Sequence, residues 1–117
     1  SEGCTVIRLE NEIETDLNIR VDTVRFTQAL MSALTYPQKY KEKREIDFKV
    51  TLDTEKHFIN FRITNSPLAD ERFISQEVCI RHEINRLLFE YFGGSYKVQT
   101  NPDGKPTILF TFPSGRN

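Results

Sequence analysis

The chain has 117 residues, enough to bury one real core but not two, so a single domain over residues 1–117 is expected. Its composition, 38% hydrophobic and 28% charged, is that of an ordinary globular domain, and no apolar run approaches the ~18 residues of a membrane span. A net charge of -1 supplies no global field toward nucleic acid or acidic membranes, so neither is expected as a partner. Cys4 and Cys79 make neither a disulfide framework nor a metal cluster, and no secretory signal precedes the first strand-like pattern. A reducing, cytoplasmic setting is the expectation, with no metal site.

Alternation predicts strands over residues 4–10 and 17–21. Asp22 then offers a capping oxygen to a helix in which Phe26, Ala29, Leu30, Ala33 and Leu34 recur at three-and-four spacing. Pro37 lacks an N–H and clashes with the preceding turn, so that helix ends there. The basic stretch 39–44 is expected as a solvated loop. Ile46, Phe48, Val50 and Leu52 alternate, as do Ile59, Phe61 and Ile63, which predicts a hairpin with one buried face. His57 reads as structural. After a loop, Ser75 is placed to cap a second helix with the apolar stripe Ile80, Ile84, Leu87, Leu88 and Tyr91, ended by Gly93-Gly94. A final hairpin turns through Asn101-Pro102-Asp103-Gly104. The order ββαββαββ implies an α+β two-layer sandwich, with a mixed, mostly antiparallel sheet and helices on one face. Leu30, Leu34, Ile84 and Leu88 should meet Phe48, Phe61 and Phe110 or Phe112 in its core.

The tail "INRLLFEYFGGSYKVQTNPDGKPTILFTFP" ends a helix in Gly93-Gly94 and returns through Gly104-Lys105-Pro106-Thr107 to a strand closed by Pro113. Upstream, "VDTVRFTQALMSALTYPQKY" carries Asp22, Arg25, Phe26, Gln28, Leu30, Leu34, Lys39 and Tyr40 in a recurring helix pattern. Together these segments resemble the ATP-binding domain of sensor histidine kinases, of the Bergerat-type ATPase superfamily. The likeness covers nearly the whole chain and implies a role in two-component signal transduction. It also implies a fragment of a longer signalling protein, partnered by other domains of that chain or by a signalling protein.

The family's ATP-directed positions are altered. Its two polar positions on the first helix, the second a magnesium-holding asparagine, fall on Ser32 and Tyr36. At ~100° per residue these stand close together on one flank of the helix and should face the same groove. Tyrosine is a poor magnesium ligand, since hard cations take carboxylate, amide or water oxygens. The adenine-directed aspartate corresponds to Asn65, and its companion glycines to Pro67 and Ala69. The phosphate-facing glycine box falls on Cys79-Ile80-Arg81-His82, and the lid between the two boxes is short. The nucleotide-pocket positions by resemblance are therefore Ser32, Tyr36, Lys39, Asn65, Pro67 and Thr107.

Three readings follow. The leading one is a degenerate histidine-kinase-like domain, a pseudokinase with no expected cofactor. The alternative is a divergent active kinase using ATP and Mg2+ through Ser32, Asn65 and the Lys39 region. The third is a phosphotransfer module, because His82-Glu83-Ile84-Asn85 resembles a phosphoacceptor motif without its proline.

Overall fold

The computed structural model describes residues 5–36 and 43–115. Its elements are β1 (Thr5–Asn11), α1 (Thr23–Thr35), β2 (Arg44–Asp53), β3 (Phe58–Thr64), α2 (Gln76–Tyr91), β4 (Ser95–Thr100) and β5 (Pro106–Pro113). The five strands form one sheet in the order β1-β2-β3-β5-β4. β1 runs parallel to β2, as the α1 crossover between them requires, and the other pairs are antiparallel. The expected mixed, mostly antiparallel sheet is thus present.

Register explains the core. Leu9, Phe48, Ile63, Ile108 and Val98 lie in one cross-strand row, and Val50, Phe61, Phe110 and Tyr96 in the next. Side chains alternate between faces along a strand, so these rows share a single face. α1 contributes Ala29, Ala33 and Leu34 to the cluster on that face, and α2 contributes Val78 and Phe89. Phe89 lies 4.9 Å, ring centre to ring centre, from both Phe110 and Phe112. The opposite face is polar: Arg8 bonds Asp47 at 2.9 Å, and Lys49 pairs with Glu10 and Glu12.

Local signals hold where the chemistry is local. Asp22 accepts the Arg25 N–H at 3.1 Å and Ser75 accepts that of Val78 at 3.1 Å, so both caps form. Gly93, at φ 83°, turns the chain out of α2, with the Gly94 N–H donating back to the Phe89 carbonyl at 2.9 Å. Gly94 then runs so close to β5 that an added Cβ would lie 2.0 Å from the Thr111 carbonyl oxygen. His57 lies in the β2–β3 turn at φ 59°, and its carbonyl accepts from the Ser114 backbone at 2.8 Å.

Three expectations are corrected. Residues 17–21 form no strand; they make one bridge, Asn18 to Gly115, while Ile19 and Val21 pack on the core edge. Their alternation comes from an extended segment laid across the core without a ladder. The element order is therefore βαββαββ with two short 3-10 turns after β3. Second, the outer stripe of α2 is not core: Ile80, Ile84, Leu87 and Tyr91 are 52%, 45%, 55% and 82% exposed. The buried face is centred on Val78 and Phe89, with the half-buried His82, Asn85 and Phe92 beside them. Of the four expected helical core residues, Leu34 is buried, Leu30 and Leu88 pack partly buried against the core, and Ile84 does not join. Third, Arg44 is not loop: it opens β2 and is 7% exposed, whereas residues 37–42, including Pro37, Lys39, Tyr40 and Lys41, lie outside the described residues.

Candidate functional site

α1 ends by aiming two residues at α2. Ser32 and Tyr36 stand one turn apart, and the Tyr36 N–H caps the helix by donating to the Ser32 carbonyl at 3.0 Å. From α2, Arg81 donates through Nη1 to Ser32 Oγ at 3.0 Å and through Nη2 to Glu77 Oε1 at 3.1 Å. Its guanidinium carbon also sits 5.3 Å from the centre of the Tyr36 ring, within cation–π range. Ser32 and Tyr36 therefore do share one groove, and a guanidinium spans it. Arg81 Nε is buried without a hydrogen-bond partner among the described residues. What remains open between the helices is a slot of about 120 Å³ lined by Arg25, Gln28, Ser32, Arg81 and Ile84.

The loop after β3 is pinned from both sides. Ser66, fully buried, donates from Oγ to the Ala33 carbonyl of α1 at 2.6 Å, and its N–H reaches the Pro106 carbonyl at 2.9 Å. Behind it Pro67 and Leu68 are buried against α1 and the start of β5. Asn65 adopts φ 68°, a left-handed conformation that asparagine tolerates better than most residues. Its amide Nδ2 donates to the Glu45 carbonyl at 2.9 Å, and its own carbonyl accepts from Arg44 Nη1 at 3.0 Å. Arg44 Nη2 then meets Asp70 Oδ2 at 2.6 Å. Hydrogen bonds from the Arg72 side chain, then its backbone N–H, then Arg44, hold the Asp70 carboxyl well below the usual carboxylate range, against the opposing effect of burial. Thr107 is fully buried at the start of β5, opposite Thr64, with its hydroxyl on the Lys105 carbonyl at 3.2 Å.

His82 is half-buried on the inner side of α2. Its Nδ1 lies 2.6 Å from the Tyr96 hydroxyl, and the ring also hydrogen-bonds the Leu68 backbone. Burial pushes the imidazole below its ordinary value, more strongly than the Leu68 bond raises it. Burial likewise pushes the Tyr96 phenol up to about 12, partly offset by a hydrogen bond with Asn85. At neutral pH the pair is thus a neutral imidazole hydrogen-bonded to a protonated phenol. Because the folded-state value lies below that of the unfolded chain, the unfolded form takes up the proton first as pH falls. Stability is full above about pH 6.5 and declines below it, with a ceiling near 1.4 kcal/mol per pH unit that solvent around the half-exposed ring cuts to a fraction. Denaturant melts between pH 7.5 and 5.5 are expected to show this slope, and His82→Gln to flatten it. An unchanged slope in the variant would refute the assignment.

Of the positions expected from sequence, the structure joins Ser32 to Tyr36 and sets Asn65 beside the start of β5, where Thr107 lies. Lys39 lies outside the described residues. Of the residues that organise these positions, Arg81 was expected only as part of the altered phosphate box and Arg44 only in the basic stretch, while Asp70 was not singled out. For Arg44 a signal existed: it shares the parity of Ile46 and Phe48, which places it on the inner face of β2. Among the described residues no three His, Cys, Asp or Glu side chains come together as a metal site, and no helix is long and apolar enough to cross a membrane.

No known family profile matches the chain, and no curated protein matches it. Solved structures do. The catalytic domain of the histidine kinase ThkA superposes with a TM-score of 0.65 at 16% identity, over 93% of this chain and 78% of that one. Full-length ShkA, solved with AMPPNP, gives 0.68 at 16% identity, over 97% of this chain and 26% of the longer one. The Acinetobacter baumannii histidine kinase AdeS gives 0.61 at 13% identity, over 96% and 55%. A five-stranded mixed sheet with both helices on one face, superposing on these domains over more than nine-tenths of its length, has the fold of the histidine-kinase ATPase domain.

Proposed function

We propose that this domain keeps the histidine-kinase-like framework but has lost, or greatly weakened, nucleotide binding. It works in two-component-like signalling, in the cytoplasm, through other domains of its parent chain or a signalling partner. The observation that carries this reading is Arg81, a fixed cation bridging Ser32 and Tyr36 where the family resemblance would put magnesium and phosphate. The residues present do not fit a magnesium–triphosphate. A phenol is a poor partner for a hard cation, and a guanidinium already held by Glu77 repels one. Asn65, the candidate adenine partner, has its amide engaged with Glu45, and buried Leu68 fills the space beneath α1.

Micromolar affinity amounts to about 8 kcal/mol, assembled from charged hydrogen bonds of about 1.5–3 kcal/mol each, so losing three or four removes it. Calorimetry and thermal-shift titrations are expected to show no Mg2+-dependent binding of ATP or ADP, and no affinity for either beyond that of pyrophosphate. A saturable Mg2+-dependent shift at sub-millimolar nucleotide that pyrophosphate does not reproduce, abolished by Asn65→Ala, would favour the divergent kinase. For His82, both contacts of the ring speak against phosphotransfer: one nitrogen faces Tyr96 and the ring is tied to the Leu68 backbone. Acetyl phosphate is expected to leave no acid-labile phosphate there, and a label lost on His82→Gln would restore the third reading.

A further inference from the structure

A second cavity lies apart from the groove between the helices. A cleft of about 510 Å³ opens at the end of the sheet where β2 begins, β3 ends and β5 begins. Its walls carry five cations, Arg8, Lys43, Arg44, Arg72 and Lys105, against two carboxylates, Glu45 and Asp70, and Arg8 is also paired with Asp47 just outside. None of the groove residues Ser32, Tyr36 or Arg81 lines it.

The charges are arranged unevenly. Asp70 is shared by two guanidiniums, receiving Arg44 Nη2 at 2.6 Å and Arg72 Nη2 at 2.8 Å on the same oxygen. Arg44, 7% exposed and fixed by the Asn65 carbonyl, forms a rigid cationic floor. Among the described residues no carboxylate pairs with Lys43 or Lys105 at the rim. The two ammoniums at the rim leave positive charge that water and counterions must answer.

We propose that this cleft binds a small polyanion carrying two or more adjacent oxyanion groups. Guanidinium forks and lysine ammoniums are the side chains that hold such groups by charge-assisted hydrogen bonds. The lining also limits the ligand. Every wall residue is charged or an amide, so no apolar wall encloses an aromatic base, and binding here is directed at oxyanions. Asp47, Glu10 and Glu12 on the adjoining polar face repel an extended polyanion such as a nucleic acid. The volume admits a ligand of diphosphate or tricarboxylate size together with its bound water.

The test is titration of the domain at low salt with pyrophosphate and with citrate, read by calorimetry and by backbone amide NMR. Saturable binding on the order of 1 mM or tighter is expected, with shifts focused on Asn65, Asp70, Arg72 and Lys105 and weakening as salt rises. A Lys43→Gln/Lys105→Gln double variant, whose thermal midpoint should match the parent because both side chains are exposed, should bind about tenfold more weakly. Lys97→Gln, an exposed residue of β4 outside the cleft, should bind normally. Preference for pyrophosphate assigns a phosphate ligand and preference for citrate a polycarboxylate, both within the proposal. No saturation by about 10 mM, equal binding by the double variant, or tighter binding of a single-stranded oligonucleotide than of either anion would overturn it.

Discussion

Truncating Phe89 to alanine is expected to cost about 3–5 kcal/mol of stability, the range for emptying a buried aromatic site. Phe89 is 3% exposed and touches rings on every side: Phe110, Phe112 and Tyr96 from the sheet, and Phe26 from α1. It is also one of only two fully buried apolar residues of α2, so little else holds that helix to the sheet. The matching control is Leu87→Ala. Leu87 is 55% exposed, and its loss should stay within about 0.5 kcal/mol. Denaturant melts that ranked the two variants in the opposite order would reverse the helix and put the stripe of Ile80, Ile84, Leu87 and Tyr91 inside.

The second large effect concerns Asp70. Asp70→Ala at pH 7 is expected to cost about 3–5 kcal/mol, because it strands the buried Arg44 guanidinium without a counter-charge. Replacing both partners, as Arg44→Met/Asp70→Leu, should recover most of that loss, since a well-packed apolar pair carries no desolvation cost. The sign with pH is fixed by the lowered carboxyl. Its contribution is present above the ordinary value of about 3.9 and drains away as pH falls below it, so the parent should lose stability in acid more steeply than the double variant. A single variant within about 0.5 kcal/mol of the parent would mean that the Arg44–Asp70 pair does not pin the loop.

How much of this was legible depends on the range of each interaction. Asp22, Ser75, Gly93 and Gly104 work within one turn of chain, so residue type and spacing suffice to find them. The β2, β3 and β5 alternation is equally local, and it places Phe61 and Phe110 correctly. α2 misleads because it is apolar on two sides. Its buried face contains His82 and Asn85, whose polar atoms are satisfied by Tyr96 and the Leu68 backbone, so hydrophobicity cannot mark that side. The outer stripe is more apolar and attracts the assignment. At the site, the helical period alone brings Ser32 and Tyr36 together. Arg81 joins them across 49 residues of sequence, and Arg44 meets Asp70 across 26, separations that no local pattern reports.

β1 has a consequence for how the domain comes apart. All seven of its residues are exposed, and it is joined to the sheet through β2 alone. Ile7 and Leu9 point to the helix side, yet remain 43% and 66% exposed because neither helix reaches that far. Backbone pairing and surface charges such as Arg8–Asp47 and Lys49–Glu10 are what fasten the strand, and salt screens the latter. The molecule therefore has two stabilities: a cooperative one for the aromatic core, and a lower one for an N-terminal strand that can peel away while the core stays folded. Amide exchange in β1 should run by this peeling, quicken with ionic strength, and ignore changes at Phe89 that shift the global melt.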